Sequence, residues 1–184
     1  MNKSVWIIIA IVGALLVSAM FSYNTLVGMN ENVTGKWSQI ENQLQRRGDL
    51  IPNLVNTVKG YAAHEQQAIQ AVADARAKLA GAQGPAGKAA ADGELNSALS
   101  RLLMVAENYP NLKADANFRA LMDELSGTEN RIAVARKDYN DAVQVYNVKI
   151  RSLPTSLFAG MMGFGPKEYF TAEESAKQVP QVNF

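Results

Sequence analysis

The stretch FRALMDELSGTENRIAVARKDYNDAVQVY, residues 118–146, decides the fold. Within it Phe118, Leu121, Leu125, Thr128, Ile132, Ala135, Tyr139, Ala142 and Tyr146 recur at alternating spacings of three and four. That is the spacing at which one seam of an α-helix meets partner helices along its whole length. A helix of about forty residues rises roughly 60 Å. Such a seam needs partners of similar reach, which predicts an all-α, elongated antiparallel bundle.

Upstream, Tyr109-Pro110-Asn111 breaks the chain, and Leu95, Leu99, Leu102, Leu103 and Ala106 predict a shorter helix from about Lys88 to Glu107. Before it, Gly81-Ala82-Gln83-Gly84-Pro85-Ala86-Gly87 is a loop by its glycine and proline content. Leu54, Val55, Val58, Tyr61, Ile69, Val72 and Leu79 carry a helical pattern up to that loop, and Val33, Trp37, Ile40 and Leu44 carry one before it. Between these two runs stands Gly48-Asp49-Leu50-Ile51-Pro52. Proline removes a backbone donor and its ring crowds the preceding turn, so the helix either kinks here or turns and restarts.

The first thirty residues are of another kind. No charge occurs between Lys3 and Glu31, and Val5 to Phe21 is almost wholly apolar. The stretch from Trp6 to Tyr23 rises roughly 26 Å as a helix, close to the hydrocarbon thickness of a bilayer. Trp6 and Tyr23 stand near its ends, where amphipathic rings favour the headgroup level. A retained transmembrane anchor is the expectation, running directly into the first bundle helix. A cleaved signal peptide is the alternative, with Val17 and Ala19 as small residues before a cut. Ala10, Ala14, Ser18 and Ser22 recur every four residues and form a small-residue face on which helices can approach closely in lipid. The chain thus divides into an anchor at 1–29, a bundle at 30–153 and a tail at 154–184.

In the tail, Leu157-Phe158-Ala159-Gly160-Met161-Met162-Gly163-Phe164-Gly165-Pro166 is apolar yet too rich in glycine for a stable helix. It reads either as a segment packed in a bundle groove or, through Phe158, Met161, Met162 and Phe164, as an adaptable surface that meets lipid or a partner. A turn at 48–52 would bring this tail back to the membrane, whereas a kink there would leave it far away.

Lys and Arg number 18 against 17 Asp and Glu, a formal charge of +1, and no basic stripe stands out. A nucleic-acid surface is therefore not expected. The absence of cysteine excludes disulfides, thiolate metal sites and a cysteine nucleophile. His64, the single histidine, is followed by Glu65, but a zinc helix needs a second histidine four residues on, where Ala68 stands. A di-iron bundle lacks its histidines too. His64 is a solvated or locally bonded residue or, as the alternative, a proton sensor. No nucleophile elbow, phosphate loop or shared carboxylate pair is present, so no catalytic, cofactor or metal site is expected. The densest polar cluster holds Glu41, Gln43, Gln45, Arg46, Arg47 and Asp49. Arg46 and Asp49, three apart, suit a helical ion pair. The alternative is that Arg46 and Arg47 form an anion or partner docking point.

The runs Tyr23-Asn24-Thr25-Leu26-Val27, Trp37-Ser38-Gln39-Ile40-Glu41, Gln43 to Val55 and Val58 to Glu65 resemble the LemA family, as do Tyr139-Asn140, Tyr146-Asn147, Phe164-Gly165 and Val182-Asn183-Phe184. The family's usual residue at Gly48 is alanine, and the glycine favours a bend. The resemblance implies an N-terminal membrane helix followed by a four-helix, bromodomain-like bundle in the bacterial envelope, with membrane shaping or organisation as one role. It implies a bundle on the inner side of the membrane. Lys3 and the amino terminus argue for a cytoplasmic N-terminus and an outer bundle, and the side stays open.

The expected function is a membrane-anchored scaffold or adaptor, single-pass in the bacterial inner membrane, that self-associates and organises membrane or envelope partners. The alternative is a sensory or ligand-binding module with a site near Arg46, Arg47 and His64.

Overall fold

In a computed structural model of the chain, residues 3–171 are described and all their regular structure is helical. Helix α1 spans Lys3–Tyr61, α2 Gln66–Gly81, α3 Gly84–Glu107, α4 Pro110–Ala114, α5 Ala116–Arg151 and α6 Ser156–Ala159. The chain forms two compact units. One is built from residues 3–38 together with Asp138–Glu168, the other from Gln39–Lys137 together with residues 169–171.

Helix α1 carries the apolar N-terminal run straight on into the bundle sequence, as the pattern predicted. Neither Gly48 nor Pro52 ends it. The turn considered at 48–52 lies instead at Ala62–Glu65, in a sequence of alanines that propensity alone would keep helical. The turn is closed by the Glu65 amide donating to the Ala62 carbonyl at 3.0 Å. The Phe164 ring of the tail lies edge-on to Tyr23 of α1, with centroids 5.8 Å apart. The reversal that 48–52 does not make is supplied ten residues after Pro52.

In the first unit α1 presents Ser22, Leu26 and Val33 as a buried row, and α5 answers with Tyr139, Val143, Tyr146, Asn147 and Ile150. The two helices run antiparallel. Lys36 Nζ reaches Asp138 Oδ2 at 2.9 Å, and Trp37 stacks at a tilt on Tyr139 with centroids 5.5 Å apart. The second unit buries Ile40, Leu44, Ile51, Leu54 and Val58 of α1 with rows from α2, α3 and α5, and α2 packs on α3.

The heptad seam of α5 holds through its middle and drifts at its ends. Phe118, Leu125, Thr128, Ile132, Ala135, Tyr139 and Tyr146 are buried, whereas Leu121 and Ala142 are half-buried and Val143 is fully buried. A helix of 3.6 residues per turn rotates away from a strict seven-residue repeat by about 20° per heptad. By Val143 the buried face has moved one position on.

Candidate functional site

The second unit holds an ion cluster in its interior. Along α1 the buried positions Ile40, Leu44, Arg47, Ile51, Leu54 and Val58 alternate by four and three, so Arg47 occupies a seam position that an apolar side chain would ordinarily fill. On α3, Asp92, Leu95, Leu99, Leu102 and Ala106 do the same, with Asp92 at 0% exposure. The two misfits meet. Arg47 Nη1 donates to Asp92 Oδ1 at 2.9 Å and to Glu129 Oε2 at 2.5 Å, and Arg47 Nη2 donates to Asn96 Oδ1. Arg136 of α5 donates to the other Asp92 oxygen. The Arg136 guanidinium lies over the Phe170 ring, 4.8 Å from its centroid.

Burial pushes the Asp92 carboxyl above the usual carboxylate value, while Arg47 and Arg136 pull it down. Two guanidiniums on one carboxylate offset much of the cost of taking that charge out of water. The cluster joins α1, α3 and α5 through polar bonds of fixed direction, which specify how these helices face one another.

Nearby, Pro52 leaves the Gly48 carbonyl without its helical donor. Arg76 of α2 supplies one, with Nε donating to Gly48 O at 2.7 Å. Lys88 Nζ donates to the Leu79 carbonyl at 2.9 Å in the last turn of α2, where both the orphan acceptor and the helix dipole favour a cation. These groups border a cleft of about 480 Å³ lined by Glu41, Gln45, Asp49, Arg76, Leu79 and Lys88, among others.

Farther along, Asp115 caps α5 by accepting from the Phe118 amide at 2.9 Å, and accepts from Tyr61 Oη at 2.9 Å at the end of α1. The backbone bond to Phe118, then the Tyr61 hydroxyl, hold the Asp115 carboxyl below the ordinary value. Tyr109 Oη donates to Glu65 at 3.0 Å.

The sequence-derived residues are dispersed. Arg46 is exposed and pairs with Glu124 at 2.7 Å, across to α5 rather than along its own helix to Asp49. Asp49 lines the cleft, Arg47 is sealed in the ion cluster, and His64 lies exposed in the loop between α1 and α2. Arg46, Arg47 and His64 therefore do not share one pocket. Ala10 and Ala14 are exposed, Ser18 half-buried and Ser22 buried. Phe158, Met162 and Phe164 are half-buried and Met161 is 87% exposed. Among the described residues no cluster of potential metal ligands occurs.

The tail is strapped to α5 by polar groups that spacing alone had marked only as apolar or neutral. Asn147 accepts from the Lys167 amide at 2.8 Å and donates to the Lys167 carbonyl at 2.9 Å. Tyr146 donates to the Gly165 carbonyl at 3.1 Å and Tyr139 to the Glu168 carbonyl at 2.8 Å. Asp92, Glu129 and Arg136 were also missed. The signal available for Asp92 was a carboxylate in phase with the leucines of α3.

The sequence model of the LemA family matches residues 36–184. The chain is 33% identical to Magnetosome protein MamQ 2 and to Magnetosome protein MamQ 1 of Paramagnetospirillum magneticum (strain ATCC 700264 / AMB-1), over 92% of its own length and 71% of theirs. It is 31% identical, with the same coverage, to Magnetosome protein MamQ of Magnetospirillum gryphiswaldense (strain DSM 6361 / JCM 21280 / NBRC 15271 / MSR-1).

Proposed function

We propose, from the premise that this chain belongs to the LemA family, that it is a non-enzymatic, single-pass membrane scaffold of the bacterial envelope that self-associates and organises membrane or envelope partners. One observation carries the reading. α1 is the one helix among the described residues long and apolar enough to cross a membrane, and its apolar window is exposed, although the same helix supplies buried rows to both units. Water does not favour a contiguous exposed surface of Ile7, Ile8, Ile11, Leu15 and Leu16. Lipid does.

A bromodomain-like arrangement of four helices is part of this proposal. The named relatives carry the name of a cellular structure rather than of a reaction, which fits an organising role. A ligand-binding reading has the cleft beside Asp49, Arg76 and Lys88 in its favour. The two separate in one experiment. Full-length protein reconstituted in lipid nanodiscs is weighed as a function of protein-to-disc ratio. A scaffold enters the discs as a defined oligomer, whereas strictly monomeric insertion at every ratio would defeat it.

A further inference from the structure

The run from Ser152 to Pro166 carries no charge and is bounded by Arg151 and Lys167. Its larger side chains do not all pack: Leu153 is 75% exposed, Leu157 58% and Met161 87%, at intervals of four along the segment. Between them Thr155 and Ala159 are buried. The segment is ordered by its own bonds: the Ala159 amide donates to Thr155 O at 2.9 Å, and the Phe164 amide to Ala159 O at 3.0 Å. Gly163 makes the last bend at φ +80°, a conformation that side chains rarely adopt.

The level of this segment follows from within its own unit. Phe164 touches Tyr23. A bilayer core consumes about 20 helical residues, so an anchor entered at Val5 reaches about Asn24. Protein already covers α1 short of that point: Ser22 is buried, and Ser18 and Ala19 are half-buried. What covers them must lie at the edge of the hydrocarbon. We propose that residues 152–166 form an interfacial lipid-binding shelf, with Leu153, Leu157 and Met161 directed into the acyl boundary and Arg151 and Lys167 at the headgroups. This rests on the reading of α1 as a spanning anchor.

Bilayer chemistry suits the segment better than a protein groove does. Its irregular backbone is bonded internally or to Tyr146, which the headgroup zone tolerates and the hydrocarbon core would not without such bonds. Methionine adapts to a disordered apolar surface. Flanking cations suit anionic headgroups.

The absence of cysteine makes a depth measurement direct. Full-length Leu157→Cys and Met161→Cys variants, labelled with an environment-sensitive fluorophore, are reconstituted in phosphatidylcholine–phosphatidylglycerol vesicles with and without brominated acyl chains. Leu15→Cys in the anchor and Val134→Cys on α5 serve as lipid and water references. The expected result is bromine quenching at 157 and 161 that is well above the Val134 value and strongest for bromine near the headgroup. Quenching at Leu15 with none at 157 or 161 overturns the shelf and leaves the anchor standing. A blue-shifted but unquenched label at both positions also overturns it, because protein rather than lipid then covers the face. No quenching at Leu15 removes the anchor reading, and the shelf with it.

Discussion

Arg76 Nε donates to the Gly48 carbonyl at 2.7 Å, the very acceptor that Pro52 deprives of its helical partner. A proline in a helix interior ordinarily costs about 3 kcal/mol. Here part of that cost is offset from the neighbouring helix, and α2 is pinned to α1 at the same time.

The pairing makes a thermodynamic prediction. Arg76→Met leaves a partly buried carbonyl unsatisfied and should destabilise by about 2 kcal/mol. In a Pro52→Ala background the restored amide satisfies Gly48, so the same substitution should cost clearly less. A double-mutant cycle by chemical unfolding of the solubilised chain reads the coupling, and additive effects would show that Arg76 and Pro52 act independently.

The ion cluster predicts a larger loss. Asp92→Leu removes both acceptor oxygens from Arg47 and Arg136, and removal of one partner from a buried pair costs about 3–5 kcal/mol. Arg47→Met combined with Asp92→Leu restores an apolar seam and should recover most of the stability lost by Asp92→Leu alone. Unfolding midpoints of the wild type and the two variants compare the two cases directly.

Two carboxylates predict opposite pH trends. The folded-state pKa of Asp115 is lowered, by the Phe118 amide first. Its contribution is present above the ordinary carboxylate pKa and is lost as pH falls through the lowered value. Asp92 is raised, by burial first, so the folded state binds the extra proton and its contribution declines as pH climbs from the ordinary value toward the raised one. Asp115→Asn keeps a capping oxygen and should flatten the acid limb of the stability profile. A profile unchanged by that substitution would place the acid sensitivity elsewhere.

The strap on α5 predicts a local effect. Asn147→Ala removes two bonds to the Lys167 backbone. Amide exchange at 164–168 should accelerate while that of α5 before Tyr139 stays unchanged. Equal acceleration along α5 would mean that Asn147 supports the helix itself.

The long helices were legible because their apolar rows repeat, and the apolar first part of α1 because charge is absent from it. Two things were hidden. Gly60-Tyr61-Ala62-Ala63 contains good helix formers, so the reversal at Ala62–Glu65 is set by tertiary packing, while Pro52, the strongest local breaker, was overruled by a donor 24 residues away. Arg47 was visible as a basic residue but was read with Arg46 as a docking point, because its partners Asp92 and Glu129 come from other helices. A charge in phase with a leucine row is the pattern that reveals such a cluster. It was present at Arg47 and at Asp92 alike.

The central claim is an anchor that also assembles. Single cysteines placed in turn from Ala10 to Ser18 of the full-length chain, oxidised in native membranes, test it most directly. The account predicts disulfide-linked oligomers peaking at Ala10 and Ala14, the two exposed positions of the small-residue face, with a helical period and little product at Ile11 or Leu16. Monomer at every position, or product without that period, would contradict it.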